Sequence, residues 1–170
     1  STSSLCGSAD IDFDGTNYTY NNPNYLPSIG CAMTGVVNIS NGDLTAVTII
    51  ATNLNSSGTG VEWSMNLSLN SLTNQNINLN QTYYQAPMNP TSLNYVMITL
   101  QFTAYPSATS SESYSNSSHD GNPGELTITN IDLNNETIDG YFDFIGTSTL
   151  GGNTKQISGQ FTDLPVIIND

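Results

Sequence analysis

Ile138-Asp-Gly-Tyr-Phe142 and, nineteen residues later, Ile157-Ser-Gly-Gln-Phe161 carry one pattern: Ile, Gly and Phe fall two apart. A period of two places those three side chains on one face of an extended strand. Glycine beneath a facing aromatic lets two strands approach closely. The pair therefore reads as neighbouring strands of one meander; a solenoid would need more copies.

Alternation continues outward from this stretch. Ile11 and Phe13 alternate with Asp10, Asp12 and Asp14. Further segments follow at Ala32–Ser40, Leu44–Thr52, Val61–Leu69, a weaker Ile77–Gln85, Leu93–Tyr105, Glu125–Ile131, Thr137–Ile145 and Gln156–Thr162. Turn chemistry separates them, as in Asp14-Gly15, Asn41-Gly42-Asp43 and Gly151-Gly152-Asn153. Helix formers are scarce, with seven Ala, four Glu and one Lys, and no window shows apolar spacing of three and four. The expectation is an all-β fold: a single-domain antiparallel β-sandwich or flattened barrel of about nine strands. It spans residues 1–170, with 1–5 and 164–170 as candidate flexible ends. Ser-rich Pro106–Ser118 reads as a long mobile loop.

Charge narrows the function. The chain has 14 acids, one lysine (Lys155), one histidine (His119) and no arginine, for a formal net charge of -13. Asn, Ser and Thr supply 65 of 170 residues, so amides and hydroxyls carry the surface polarity. Such a chain repels phosphate, which argues against nucleic acid. It has no polybasic patch for an anionic membrane. Too few cations exist for the ion-pair networks of hyperthermophiles. No run of 18 apolar residues is present, so no membrane-spanning helix is expected. Without an initiator Met or a basic-then-apolar leader, Ser1 reads as a mature or trimmed start.

The order Gly124-Glu-Leu-Thr-Ile-Thr-Asn-Ile-Asp132, Glu136-Thr-Ile-Asp-Gly-Tyr-Phe-Asp-Phe144 and Gln156-Ile-Ser-Gly-Gln-Phe-Thr-Asp163 resembles a known ending. It is similar to that of small secreted or lipid-anchored proteins of unknown function common in Bacteroidetes. Their first strand often reads like Ile11-Asp-Phe-Asp-Gly-Thr-Asn-Tyr18. The resemblance implies an all-β protein at or outside the cell surface, and it carries over no catalytic residue. This chain departs from the pattern in having no anchor cysteine at its start and in its single lysine.

Two cysteines, Cys6 and Cys31, are read as a disulfide, which implies an oxidising compartment; two buried thiols, or a lipid anchor on Cys6, are the alternatives. No enzyme is expected. Nucleophilic catalysis needs a base beside the nucleophile, and His119 lies in a Ser/Gly loop. Glycoside hydrolysis could use two of Glu62, Glu125 and Glu136, but Arg is absent and Trp63 is alone. Asp10-Ile-Asp12-Phe-Asp14-Gly15 matches the first half of a calcium loop, while Asn21 stands where its bidentate Glu belongs. On a strand these carboxylates would be spaced too far apart for one ion, so calcium loop and Asp-Gly hairpin compete. Asp120, Asn122 and Glu125 form a weaker candidate. Seven Asn-x-Ser/Thr sequons occur (Asn17, Asn38, Asn55, Asn66, Asn80, Asn116 and Asn135), and composition alone accounts for that number.

Trp63 alternates with Val61 and Met65 and is expected in the core. Tyr83 and Tyr84 must point to opposite faces, and Tyr18 and Tyr20 share one. The leading expectation is a non-enzymatic extracellular structural subunit of a surface filament, layer or adhesive array, with copies of itself as partners. Leu93–Tyr105 and Leu44–Thr52 hold no charge, so either they are central or another chain completes their edge. Val166, Ile167 and Ile168 could supply a donated strand, or pack in their own sheet. The alternative is a monomeric secreted ligand- or carbohydrate-binding module.

Overall fold

In the computed structural model, residues 6–20, 25–26, 30–31, 33–54, 60–71, 76–84, 96–107, 109–116 and 124–170 are described. The two echoing segments form the hinge of the architecture. They lie in β12 (Thr137–Ser148) and β13 (Thr154–Asn169). The strands pair antiparallel with Gly140 opposite Phe161 and Phe142 opposite Gly159. Each phenyl ring thus covers the glycine of the other strand. A Cβ on Gly140 would lie 2.6 Å from Phe161 Cζ, and one on Gly159 would lie 2.7 Å from Phe142 Cζ. Larger side chains would push the strands apart.

The remaining strands are β1 (Ser8–Phe13), β2 (Thr16–Tyr20), β3 (Tyr25–Leu26), β4 (Gly30–Cys31), β5 (Met33–Ser40), β6 (Asp43–Leu54), β7 (Val61–Ser71), β8 (Thr82–Tyr84), β9 (Val96–Ser107), β10 (Ser110–Ser115) and β11 (Glu125–Asp132). Among the described residues eleven of these thirteen strands join one sheet, in the order β2-β1-β13-β5-β6-β7-β9-β10-β12-β11-β8, and β3 pairs with β4. Because β12 also pairs with β13, the circuit β13-β5-β6-β7-β9-β10-β12 closes on itself. Closure of this kind removes most free edges.

The long strands serve two layers. β13 runs between β1 and β12, then bends at Thr162–Asp163, where two residues stand against Asp139 alone. Asp163 takes a positive φ of 51° there, and its N–H donates to Asp139 Oδ1 at 2.7 Å. Beyond this bulge, Val166–Asn169 pair in parallel with Gly35–Asn38. One layer is therefore β2-β1-β13-β12-β11-β8, and the other is β5-β6-β7-β9-β10. Aromatic rings join them: Phe13 stacks on Phe102 with centroids 4.0 Å apart, and Tyr18 meets the Trp63 ring edge-on at 5.3 Å. One contiguous cluster holds the core, with Trp63, Phe102, Phe142, Phe144 and Phe161 among its largest members.

The all-β expectation holds, with more strands than the nine expected. Two differences have physical causes, and one open alternative is resolved. Pro106–Ser118 is not simply a loop, because Ser110–Ser115 form β10. Its inward positions fall on Tyr114 and Asn116, both buried, and Gly146 lets it approach β12, since a Cβ there would lie 2.7 Å from Tyr114 Cβ. The candidate flexible end 164–170 instead continues β13 as far as Asn169, anchored by buried Leu164 and Val166. Val166, Ile167 and Ile168 pair in parallel with Gly35, Val36 and Val37 of the chain's own β5. The uncharged strands are central. β6 lies between β5 and β7, and β9 lies between β7 and β10. Residues 1–5, 93–95, His119, Asp120 and Asn122 lie outside the described residues.

Cys6 and Cys31 form a disulfide, tying the turn that precedes β1 to β4 across a sequence separation of 25. Beside it, Gly7 at φ 59° passes tightly under the bulge, where a Cβ would meet Asp163 O at 2.4 Å.

Candidate functional site

A tight turn sets up a face that carries Asp10, Asp12, Asp143 and Glu125. Asp14 and Gly15 adopt φ of 51° and 92°, the left-handed pair that a two-residue hairpin requires. The turn fixes Asp12 opposite Asn17 and Asp10 opposite Thr19. Of the two competing readings of the Asp-rich segment, the strand with an Asp-Gly hairpin is the one adopted.

The three aspartates then part company. Thr19 Oγ1 donates to Asp10 Oδ1 at 2.9 Å, and the Gly15 N–H donates to Asp12 Oδ1 at 2.9 Å. Asp14 Oδ2 pairs with Lys155 Nζ at 3.1 Å. The hydrogen bond from Lys155 holds the Asp14 carboxyl below its ordinary pKa and lifts the lysine above its own. Both partners are solvent-accessible, so the pair contributes little to stability. Among the described residues no three His, Cys, Asp or Glu are grouped to hold a metal ion.

Cross-strand register extends this face. Asp12 stands opposite Ser158, and Ser158 opposite Asp143. Asp143 in turn stands opposite Glu125, and Glu125 opposite Tyr84. In the adjacent row, Asp10 faces Gln160 and Gln160 faces Tyr141. Ser158 is small among larger neighbours, and a shallow depression of about 420 Å³ lies there. Asp10, Asp12, Asn17, Tyr141, Ser158 and Gln160 line it, together with Phe142 and Gly159. Tyr141 is 43% exposed. Burial raises the pKa of Asp143, and a hydrogen bond donated by Gln156 Nε2 opposes that rise in part.

The opposite face has different chemistry. From β5 it presents Thr34, Val36 and Asn38; from β6 Ala46, Thr48, Ile50 and Thr52; from β7 Ser64, Asn66, Ser68 and Asn70. Register aligns them in rows: Thr34–Ile50–Asn66, Val36–Thr48–Ser68 and Asn38–Ala46–Asn70. Ile167 and Asn169 of β13 extend two of these rows beside Val36 and Asn38. Within these stretches no side chain is charged. Asp43 and Glu62 lie at the strand ends, where Glu62 accepts from Asn53 Nδ2 at 2.7 Å.

Other candidates are dispersed. Glu62, Glu125 and Glu136 belong to the start of β7, the start of β11 and the turn before β12. Trp63 and Tyr83 are buried, and Tyr84 is 55% exposed, as its opposite direction requires. The Asn116 side chain, part of a sequon, is buried, donating to Ile145 O and accepting from Gly124 N. Sequence reasoning singled out Asp10 and Asp12 but missed Asn17, Tyr141, Ser158 and Gln160. For Tyr141, Ser158 and Gln160 the signal was available, because the residues between the inward Ile, Gly and Phe of each echo must point outward; Asn17 is placed only by the hairpin register opposite Asp12.

Comparison with protein families, curated proteins and solved structures finds no match.

Proposed function

We propose that this chain is a non-enzymatic extracellular structural subunit that packs against copies of itself through the uncharged outer face of β5, β6 and β7. One observation carries this reading: a molecule of net charge -13 leaves the outward rows of β5, β6 and β7 uncharged between Asp43 and Glu62 at the strand ends, and places Asp10, Asp12, Asp143 and Glu125 on the other face. Copies of so acidic a particle repel one another, and at physiological salt the Debye length of about 8 Å removes only the long-range part. Meeting through neutral faces avoids bringing those carboxylates into contact. Ile50 and Ile167, 49% and 65% exposed, give such a contact apolar surface to remove from water. Donation of the C-terminal strand is not part of this proposal.

The disulfide supports an oxidising location, hence the cell surface or the medium. Among the described residues no helix is long and apolar enough to cross a membrane. The test is the mass of native material, by light scattering and electron microscopy. Ordered assemblies are expected, and monodisperse particles of 18.2 kDa would sink the proposal.

A further inference from the structure

We infer that the depression over Ser158 is a binding site for neutral carbohydrate. This inference stands on the acidic face and is independent of the assembly reading. The lining selects the ligand class by exclusion first. Asp10 and Asp12 border the depression, and Asp143 and Glu125 continue the Ser158 row. Lys155, the single cation besides His119 in the sequence, is bound to Asp14. Phosphorylated, sulfated and uronic ligands therefore meet repulsion with no counter-charge.

The remaining chemistry suits a polyol. Thr19 and Gly15 each occupy one oxygen of Asp10 and Asp12, which fixes the carboxylates. The second oxygens are acceptors for sugar hydroxyls, and a hydroxyl bound to a carboxylate makes a strong, charge-assisted hydrogen bond. Asn17 and Gln160 each bring an amide donor and an amide acceptor, and Ser158 can serve as either. Tyr141 supplies a half-exposed ring on which the C–H face of a pyranose can lie. All six side chains stand on antiparallel strands whose register is fixed by the hairpin turn and the paired Gly–Phe contacts, so the site is largely pre-formed.

A bare cation would use the carboxylates alone and leave Tyr141 without a role. That difference sets the experiment. The intact protein is titrated by calorimetry with dextran, mannan and xyloglucan fragments, with alginate and heparin fragments, and with calcium chloride alone. At least one neutral glycan is expected to bind, with binding unaffected by EDTA and neither anionic glycan competing. Tyr141→Ala should weaken binding by about tenfold, with unchanged thermal stability. Tyr105→Ala, an exposed tyrosine on β9, should have no effect. Absence of neutral-glycan binding, preference for an anionic glycan, insensitivity to Tyr141→Ala, or binding of calcium alone that Asp10→Asn abolishes would each overturn the inference.

Discussion

The two outer faces of this molecule are built on the same alternation and end with opposite chemistry. Across β1, β13, β12 and β11, outward positions carry Asp10, Asp12, Asp143 and Glu125 around Ser158 and Tyr141. Across β5, β6 and β7, outward positions carry Thr, Ser, Asn and a few aliphatics. Inward, both faces are ordinary, with Ile, Leu, Val and aromatic side chains in one core. The difference therefore cannot come from folding needs, since either set of outward residues suits a strand. It shows where charge is tolerated and where it is excluded.

The sharpest way to break this comparison is at β13, which contributes to both faces. Deleting 164–170 removes buried Leu164 and Val166 and the four rungs with β5. Burial alone puts the loss at about 3–6 kcal/mol, and chemical denaturation should show a subunit that barely folds. Reducing the Cys6–Cys31 bond is next. Releasing a 25-residue separation should cost about 3 kcal/mol, read as a lower unfolding temperature with both faces intact. Gly140→Ala should cost about 2 kcal/mol, because its Cβ would meet Thr127 O at 2.5 Å as well as Phe161. It would splay the strand pair that sets the acidic face, and the neutral face should be spared.

The smallest expected effect is electrostatic, and its sign is informative. Asp143 has a raised pKa through burial and stands opposite Glu125. The folded state therefore binds its proton more tightly than the unfolded state, and the stability tied to Asp143 falls as pH rises through its titration. Asp143→Asn should then stabilise the protein at neutral pH by about 0.2–0.5 kcal/mol. Asp14 and Asp132 have the opposite sign. Lys155 lowers the pKa of the first, and backbone and side-chain N–H groups of Asn135 lower that of the second. Their contributions are present above the ordinary carboxylate pKa and are lost as pH falls through the lowered values. Urea unfolding between neutral and acid pH, with and without Asp143→Asn, separates the two signs.

Much of this architecture is legible in local patterning. The Ile-x-Gly-x-Phe echo announces a close strand pair, and Asp14-Gly15 announces a tight hairpin. Other features depend on partners that local sequence does not reveal. Ser110–Ser115 looks like a loop because one tyrosine is its only large apolar residue; it becomes a strand because Gly146 admits Tyr114 and Asn116 bonds across to Ile145 O. The turn of β13 from one layer to the next rests on a bulge at Asp163, where no glycine stands beside the aspartate as it does at Asp14-Gly15. The site was half visible. Asp10 and Asp12 stand out by type, whereas Ser158 and Gln160 matter only once β13 lies between β1 and β12.

Sedimentation velocity on charge-transplanted variants tests the central claim most directly. Thr48→Glu with Asn66→Glu places two carboxylates on the neutral face, and Asn17→Asp with Gln160→Glu places two on the acidic face, for the same net charge. The account predicts that the wild type associates with rising concentration and more so with rising salt. It predicts that the first variant remains monomeric and the second still associates. A wild type that is monomeric throughout, or two variants that lose association equally, would contradict it.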